Sequence, residues 1–566
     1  MSNPHIPFQA HLGQYQSTIE AAHADLIAEK ILPRIWQHDH TVWKPEPTEI
    51  ANRLGWLDSP EVMPAALPEI NALVAEVRAA GYTHALLLGM GGSSLAPEVL
   101  RFTFGVQPGY LELAVLDSTH PSAVLQHARR LDFNKTLFIV STKSGGTVET
   151  FSFFKYFYND VVRAVGKERA GEHFIAITDP GSGLADTAAA YKFRKTFLND
   201  PNIGGRYSAL SYFGLVPAAL LGVDISKLLE RARLLANNRS DNNSGLWLGA
   251  LMGELAVAGL DKVTLFASPA IASFGAWAEQ LIAESTGKEG VGILPVAGEE
   301  PGAPSVYAND RVFVYLRLRE DHGYDDKLKA LAEAGHPVVQ IDLQDTYDLG
   351  AEFFRWELAT IIAGRRLGIN PFDQPNVESA KVLARKMVIE FQAQGKLPEL
   401  TPTVAEHGLT VYAESPASSL AQAWKNFLAH AQTGAGQTRG YVVLQAYIAP
   451  NRAADEALQA LATKLRDRHQ LATTIGYGPR FLHSTGQLHK GDAGNGLFVQ
   501  FTAKIAEDAA IPNEAGAEAS AMSFGTLVMA QALGDRQALM DNQRKVLRID
   551  LGKDVVGGLK QLQDIF

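Results

Sequence analysis

The chain has 566 residues, 46% of them hydrophobic and 20% charged, which indicates a globular protein of about three or four domains. A net charge of −10 disfavours broad binding to nucleic acid or to anionic membranes. The absence of cysteine excludes disulfides, thiolate metal sites and cysteine nucleophiles. The sequence shows neither a secretory leader nor a run of about 18 apolar residues, so we expect a cytoplasmic protein.

Residues 1–62 are predicted to form a helical arm, because Tyr15, Ile19 and Leu26 follow a helical spacing. Between residues 63 and 240, short apolar runs alternate with longer helical patterns, which is typical of a parallel sheet covered by helices on both faces. The strands predicted in this segment are residues 85–88, 113–116, 137–141 and 174–178.

The same alternation returns between residues 241 and 400, with strands predicted at residues 263–267, 312–316 and 338–341. In residues 401–566 we predict strands at 441–447, 496–501 and 546–551 and an amphipathic helix at 454–468. The whole pattern predicts an α/β protein with two tandem doubly wound parallel-sheet domains, an N-terminal helical arm and a smaller C-terminal α/β unit. Ligand sites are then expected at the carboxyl edges of the strands.

The first predicted strand runs directly into the loop Gly89-Met90-Gly91-Gly92-Ser93-Ser94. Glycines allow the backbone to approach a ligand closely, and the N–H groups at the start of the next helix attract an anion, so this loop is predicted to bind phosphate. It is not a Walker loop, and Ser94 stands where a dinucleotide loop needs its last glycine. A tight turn without a ligand is the alternative.

A second loop with the same character follows the strand predicted at residues 137–141. Thr142, Ser144 and Thr147 offer small hydroxyl donors, and Lys143 offers a positive charge. The alternative is a capped helix start with Glu149 in its first turn. Because one domain contains two such loops, we favour a phosphate site.

Two further segments carry groups suited to catalysis. Arg206 follows two glycines and is either aimed at developing negative charge or, as is more common for a lone arginine in a loop, part of a surface ion pair. Gln280 and Glu284 lie one turn apart near the end of a predicted helix. Glu284 is therefore either a solvated end charge or a general base that faces a cleft.

Polar groups also concentrate in residues 370–381 and 476–491. In the first segment, the simplest interpretation makes Asp373 a helix cap and Lys381 a solvated residue about two turns into the helix. In the second, His483 and His489 are six residues apart, which does not match the one-turn spacing of a helical metal-binding pair. We predict no metal site.

Together these segments resemble the glucose-6-phosphate isomerase (phosphoglucose isomerase) family, whose members contain two sugar isomerase (SIS) domains of flavodoxin-like topology. The motifs match in the family's order over roughly residues 60–400. They are the two phosphate loops, Gly-Gly-Arg-Tyr-Ser, Gln-Leu-Ile-Ala-Glu-Ser-Thr-Gly-Lys and Asn-Pro-Phe-Asp-Gln-Pro-Asn-Val-Glu-Ser-Ala-Lys.

The resemblance implies reversible conversion of D-glucose 6-phosphate to D-fructose 6-phosphate through an enediolate, as in glycolysis and gluconeogenesis, without a metal or redox cofactor. Glu284 would be the base, Arg206 would stabilise the enediolate, and Lys381 would assist proton transfer at the ring oxygen. The residues implied to bind the substrate are Gly92, Ser93, Thr142, Lys143, Ser144, Thr147, Gln280 and Gln374.

The histidine motif departs from the family's order. In the family it lies between the glutamate and lysine motifs, where this chain has only His322 and His336, in no matching context. Residues 482–487 resemble that motif, moved into the C-terminal unit as in the isomerase half of bacterial transaldolase/phosphoglucose isomerase fusions, although this chain has no room for the transaldolase half. His483 is thus implied as the ring-opening residue. Family members are commonly homodimers that share a histidine, and the relocation leaves open which chain supplies it.

Two alternatives remain open at this point. A non-catalytic SIS-domain regulator that binds sugar phosphates would keep Ser93 and the Lys143 loop, but it would have no reason to combine Glu284, Arg206, Lys381 and His483. A dual phosphoglucose/phosphomannose isomerase would depend on side chains around the C2 hydroxyl, which sequence does not place.

Overall fold

The N-terminal arm of the protein combines one strand with helices. The computed structural model describes residues 8–432 and 439–566. The arm consists of β1 (Phe8–His11), α1 (Gln16–Ala28), α2 (Ile31–Trp36) and α3 (Ser59–Val62), joined by short 3-10 turns. Ile19, Ala22 and Leu26 form the buried stripe of α1. The prediction of a wholly helical arm was wrong for residues 8–11, because they pair antiparallel with residues 338–341.

The first domain is a doubly wound sheet of five parallel strands. Its elements are α4 (Leu67–Ala79), β2 (His84–Gly89), α5 (Leu95–Phe104), β3 (Glu112–Leu116), α6 (Pro121–Arg130), β4 (Thr136–Ser141), α7 (Val148–Val165), α8 (Lys167–Ala170), β5 (Phe174–Thr178), α9 (Gly183–Ala190), β6 (Lys195–Leu198), α10 (Tyr212–Leu221) and α11 (Ile225–Ala236). The strand order is β3-β2-β4-β5-β6. Winding therefore reverses between β2 and β4, and both predicted phosphate loops leave the sheet at this switch point.

The second domain has four parallel strands with β1 added antiparallel at one edge. Its elements are α12 (Ser244–Val257), β7 (Lys262–Ala267), α13 (Phe274–Thr286), β8 (Leu294–Ala297), β9 (Arg311–Leu318), α14 (Asp325–Glu333), β10 (Val338–Leu343), α15 (Leu349–Leu367) and α16 (Val377–Gln394). The strand order is β1-β10-β9-β7-β8. Helix α15 is buried on nearly all sides, which explains why its first four turns are apolar around most of their circumference.

The C-terminal unit has a six-stranded sheet, of which three strands were predicted from the sequence. Its elements are β11 (Val404–Glu406), β12 (Leu409–Tyr412), α17 (Leu420–Leu428), β13 (Tyr441–Tyr447), α18 (Arg452–His469), β14 (Ala472–Tyr477), α19 (Gly486–Gly491), β15 (Gly496–Thr502), β16 (Ala510–Ile511), β17 (Met522–Ser523), α20 (Phe524–Asp541), β18 (Lys545–Asp550) and α21 (Val555–Ile565). The order is β11-β12-β18-β15-β13-β14, in which the last four strands are parallel. They repeat the winding order of the second domain.

The C-terminal unit packs on both domains. Phe524 stacks on Phe153 of α7 with ring centres 5.8 Å apart, and Leu488 shares an apolar cluster with Ala283 of α13. A single larger core runs through the arm and the two tandem domains. The prediction of an α/β fold with two doubly wound domains is confirmed. Among the described helices, none is long and apolar enough to cross a membrane.

Candidate active site

A cleft of about 1060 Å³ opens where the two domains and the C-terminal unit meet. It brings together all twelve residues selected from the sequence: Gly92, Ser93, Thr142, Lys143, Ser144, Thr147, Arg206, Gln280, Glu284, Gln374, Lys381 and His483. Four segments of the first domain, two of the second and one of the C-terminal unit contribute to its walls. In the described part of the chain, no three histidine, aspartate or glutamate side chains are grouped as metal ligands.

The glycine loop after β2 is shaped by its neighbours. Gly91 has a φ of +55°, and a Cβ there would lie 2.6 Å from the carbonyl oxygen of His483. A Cβ on Gly92 would lie 2.0 Å from the carbonyl oxygen of Gly205, the residue before Arg206. Only glycine permits this approach, so the loop that carries Ser93 and the loop that carries Arg206 are held in direct backbone contact.

We expect Gly92→Ala to separate these two loops. The added methyl group has no space beside rigid backbone, so the variant should lose about 1–3 kcal/mol of unfolding free energy and about 10²-fold in kcat/KM once an activity is measured. Gly205→Ala is the matched control, because a Cβ there meets no atom within 4 Å. Equal stability of the two variants in urea unfolding would contradict the contact.

The second phosphate loop places hydroxyls at the start of α7. The Oγ1 atoms of Thr142 and Thr147 are 2.9 Å apart, and Thr147 is the N-cap residue of that helix. Lys143 forms an ion pair with Asp179 and donates to the carbonyl of Pro201 at 2.9 Å. The loop therefore combines hydroxyls, a fixed ammonium and the N-terminus of an 18-residue helix, which together suit a phosphate.

Arg206 is buried, with 3% of its side chain exposed, so it is not a surface ion-pair partner. Its Nε donates to Ser285 Oγ at 2.8 Å, and its Nη2 donates to the carbonyl of Pro371 at 2.8 Å. Its Nη1 donates to Gln374 Oε1 at 2.9 Å and lies 3.4 Å from Glu284 Oε1. The guanidinium is thus fixed by the second domain and faces the carboxylate across the cleft.

Glu284 lies in the last turn of α13 and is 14% exposed, which excludes a solvated end charge. The Nε2 of Gln280 donates to Glu284 Oε2 at 3.0 Å and also to the carbonyl of His483 at 2.7 Å. Gln280 therefore joins α13 to the turn that carries His483. The one-turn spacing predicted from the sequence produces this contact.

His483 pairs with a carboxylate that the sequence analysis assigned only to a helix start. Its Nε2 lies 2.9 Å from Glu149 Oε1, which also accepts from Gln531 Nε2 at 2.7 Å. Burial alone would raise the pKa of Glu149, but the charge and hydrogen bond of His483 outweigh it, so the pKa lies below its ordinary value. Glu149 is thus a candidate site residue that the sequence analysis missed. The signal that could have identified it is its position two residues after Thr147 of the predicted phosphate loop.

The segment before α16 also differs from its simplest interpretation. Asp373 does not cap a helix; its Oδ1 accepts from Lys288 Nζ at 2.8 Å. Lys381 lies just over one turn into α16, not two, and its Nζ is 3.8 Å from Glu378 Oε2. Lys381 lines the same cleft, but neither an ion pair nor a hydrogen bond joins it to Glu284 or His483.

Lys288 is a further residue that sequence reasoning passed over. It is 1% exposed, and burial together with the charge of Arg206 lowers its pKa to about 8 from an ordinary 10.5. Asp373 opposes this shift and keeps Lys288 bonded to the segment that carries Gln374. Lys288 therefore holds the segment that carries Gln374 at the wall of the cleft.

The lowered pKa of Lys288 predicts a pH dependence of stability. Between about pH 8 and about pH 10, the unfolded chain holds a proton that the folded chain has released, so the folded state gains stability as the pH rises. Relative to Lys288→Met, we expect the parent to gain up to about 2 kcal/mol over this range. Urea unfolding at several pH values checks this, and parallel curves for parent and variant would contradict it.

Comparison with known proteins finds similarity to glucose-6-phosphate isomerases. The family model described as "Phosphoglucose isomerase" matches residues 65–293. A glucose-6-phosphate isomerase of Streptococcus pyogenes serotype M1 is 27% identical over 384 residues, covering 58% of this chain and 85% of that protein. One from Enterococcus faecalis is 26% identical over 429 residues, covering 64% of this chain and 95% of that protein.

Two solved structures have the same fold. A hypothetical protein from Thermus thermophilus is 26% identical with a TM-score of 0.58, covering 67% of this chain and 99% of that one. A glucose-6-phosphate isomerase from Chlamydia trachomatis has a TM-score of 0.55 at 19% identity, covering 66% of this chain and 86% of that one. The family model spans both phosphate loops, Arg206 and Glu284, which are the groups that the cleft brings together. Over residues 65–293 the chain is similar to the phosphoglucose isomerase family.

Proposed function

We propose that this protein interconverts D-glucose 6-phosphate and D-fructose 6-phosphate. The observation that carries the proposal is that Glu284, Arg206 and His483 face one cleft beside the two predicted phosphate loops, and that Glu149 holds the imidazole of His483. A protein that only senses sugar phosphates has no need for a buried arginine 3.4 Å from a carboxylate or for a carboxylate-bound histidine.

Ring opening is the first step. The carboxylate of Glu149 holds the imidazole of His483 through Nε2, which leaves Nδ1 free to transfer a proton at the ring oxygen of the sugar. Glu149 also stabilises the positive charge that the imidazole carries when protonated. Lys381 lines the cleft nearby and supplies a cation at the oxygen atoms of the open chain.

Proton transfer between C2 and C1 is the second step. Glu284 removes the C2 proton, and the C–H electron pair forms the C1–C2 double bond while the carbonyl electrons move to O1, which gives the enediolate. The same carboxylate returns the proton at C1, and the hydroxyl proton of O2 moves to O1 as the ketone forms at C2. Arg206 is held by Ser285 and by the carbonyl of Pro371, so it is already in place when negative charge develops on the substrate oxygens. Gln280 fixes the second carboxylate oxygen of Glu284.

The phosphate loops hold the substrate without reacting. Ser93, Thr142, Ser144 and Thr147 offer hydroxyls at the switch point of the first sheet, and Lys143 supplies the charge. The binding energy of the phosphate, which is remote from C1 and C2, serves to orient the sugar against Glu284.

Formation of fructose 6-phosphate from glucose 6-phosphate, measured with a coupled reporter enzyme and a chelator present, tests the proposal. Activity of the purified chain supports it. An inert chain that glucose 6-phosphate still protects against heat would overturn it in favour of the sensor. Parallel assays with mannose 6-phosphate decide how far the specificity extends at C2.

His483 reaches the cleft from the C-terminal unit of the same chain, and this supports the proposal that each chain supplies its own histidine. We therefore expect an equal mixture of Glu284→Gln and His483→Ala variants, unfolded and refolded together, to remain as inactive as each variant alone. If subunits exchanged the histidine as a homodimer, random pairing would restore about a quarter of the parent's activity. The same assay distinguishes the two results.

A further inference from the structure

The orientation of His483 depends on a four-residue 3-10 turn, Arg480–His483, that links β14 to α19. The turn begins at Arg480, whose Nε lies 3.1 Å from Asp117 Oδ2. Asp117 follows β3 and therefore belongs to the first domain. The two side chains are only 29% and 12% exposed. An ion pair between units thus holds the beginning of the turn that ends in the histidine.

Asp117 is itself connected to the glycine loop. Ser94 Oγ lies 3.3 Å from Asp117 Oδ2 and 3.1 Å from the carbonyl oxygen of Gly91, and it donates to these acceptors. Gly91 in turn lies against the carbonyl of His483. The end of the turn is held separately, by Gln280 of the second domain. The histidine turn is therefore anchored at its start by the first domain and at its end by both domains, through Gln280 and Glu149.

Apolar packing alone does not fix the start of this turn. Arg480, Phe481 and Ser484 border a second cavity of about 740 Å³, which lies between the three units and also reaches Glu279 of α13. Burial raises the pKa of Asp117, and Arg480 is the main charge that opposes this effect. Loss of the guanidinium would leave the buried carboxylate without its main counter-charge and the start of the turn without its ionic anchor, so the turn would be free to shift.

From these contacts we infer that Arg480 and Asp117 are positioning residues for His483 in ring opening. They act through the turn and do not touch the substrate. The inference rests on the proposed isomerase function. A displacement of the imidazole by about 1 Å is enough to lower a proton-transfer rate by up to about 10²-fold.

The test compares the parent with Arg480→Met and Asp117→Asn. Interconversion of the two glucose 6-phosphate anomers, followed by NMR exchange, measures ring opening alone. The kinetic isotope effect with glucose 6-phosphate deuterated at C2 reports whether proton transfer or ring opening limits the rate. We expect anomer exchange to fall about 10- to 100-fold and the isotope effect to decrease toward one. Arg480→Lys should restore part of the exchange rate.

Arg466→Met is the matched control. Arg466 also joins the C-terminal unit to a domain, donating to the carbonyl of Glu300 at 2.6 Å and lying 3.5 Å from Glu299 Oε1, but it does not contact the turn. We expect this variant to be less stable while its isotope effect and anomer exchange match the parent's. Reduced isomerisation in Arg480→Met with an unchanged isotope effect and unchanged anomer exchange would overturn the inference.

A measurement that does not require enzyme activity separates this inference from the proposed function. An inert parent would contradict the isomerase proposal alone. The ring NMR signals of His483, assigned by their loss in His483→Ala, are expected to shift in Arg480→Met and Asp117→Asn but not in Arg466→Met. Signals of His483 that stay in place in both turn variants would overturn the positioning role whatever the activity of the parent.

Discussion

Glu284→Gln is expected to abolish isomerisation, lowering kcat by about 10⁴-fold, because an amide cannot accept the C2 proton. The size and shape of the side chain are conserved, so the dissociation constant for glucose 6-phosphate should change by less than about threefold. Both partners of the carboxylate, Gln280 Nε2 and Arg206 Nη1, are donors. The amide accepts from only one of them, and a modest loss of stability follows.

We expect ring opening to survive the replacement of Glu284, and this result is the decisive test of its role. Anomer exchange requires no proton transfer from C2, so Glu284→Gln should retain it within about threefold of the parent. Glu289→Gln is the control, because Glu289 lies five residues further along, is half exposed and pairs with Lys44 at 2.9 Å. Anomer exchange lost together with isomerisation, or more than about 1% of isomerisation retained, would contradict the role of Glu284 as the sole base.

The strands and loops that build the cleft could be predicted because they depend on local pattern. A buried parallel strand leaves a continuous apolar run, as in β4, and its carboxyl end must open into a loop at the ligand-binding edge. Both predicted phosphate loops follow strands that were identified in this way. Strands with mixed polarity were missed: β6 has one buried residue in four, and β1 has none. Their pairing is determined by partners distant in sequence.

The state of individual side chains was less predictable. Arg206 is preceded by two glycines like many surface arginines, and only its bond to the carbonyl of Pro371, 165 residues away, explains its burial. Glu149 stands where helix starts commonly have a carboxylate. Its second role arises from His483, which follows it by 334 residues. Neither contact leaves a periodic signal in the sequence.

The resemblance to a family supplied what local pattern could not, and its one irregularity became informative in the structure. The histidine motif lies in the C-terminal unit, yet His483 faces the cleft beside Glu284 and the phosphate loops. The displaced motif is compatible with the site because the turn that carries it leaves the carboxyl end of β14, at the interface with both domains. Position along the chain therefore mattered less than the sheet edge from which the residue extends.

His483→Ala is expected to give the opposite pattern to Glu284→Gln. Without the imidazole, anomer exchange should fall by about 10²-fold or more, because general acid–base catalysis at the ring oxygen is lost. Isomerisation then becomes limited by ring opening, so cyclic substrate should react much more slowly while the open-chain form is less affected. The isotope effect at C2 should decrease toward one, whereas in the parent the C2 proton transfer contributes to the rate.

Stability gives an independent check on the same substitution. Glu149 has a lowered pKa in the folded protein, so it stabilises the fold above its unfolded pKa, and this contribution is lost as the pH falls through the folded value. His483→Ala removes the main cause of the lowering and leaves Glu149 buried. The variant should therefore be less stable than the parent at neutral pH. The deficit should narrow as the pH falls from the raised pKa of the unpaired carboxyl in the variant to the lowered pKa of Glu149 in the parent.

His489→Leu distinguishes this pattern from general damage to the motif. His489 lies six residues after His483, is 1% exposed and packs on Phe498 with ring centres 5.0 Å apart, outside the cleft. Its replacement should affect stability but leave anomer exchange and the isotope effect unchanged. If His483→Ala instead slowed anomer exchange and C2 proton transfer by the same factor, the imidazole would not be the ring-opening group. Lys381, which lines the same cleft, would then be the next residue to test.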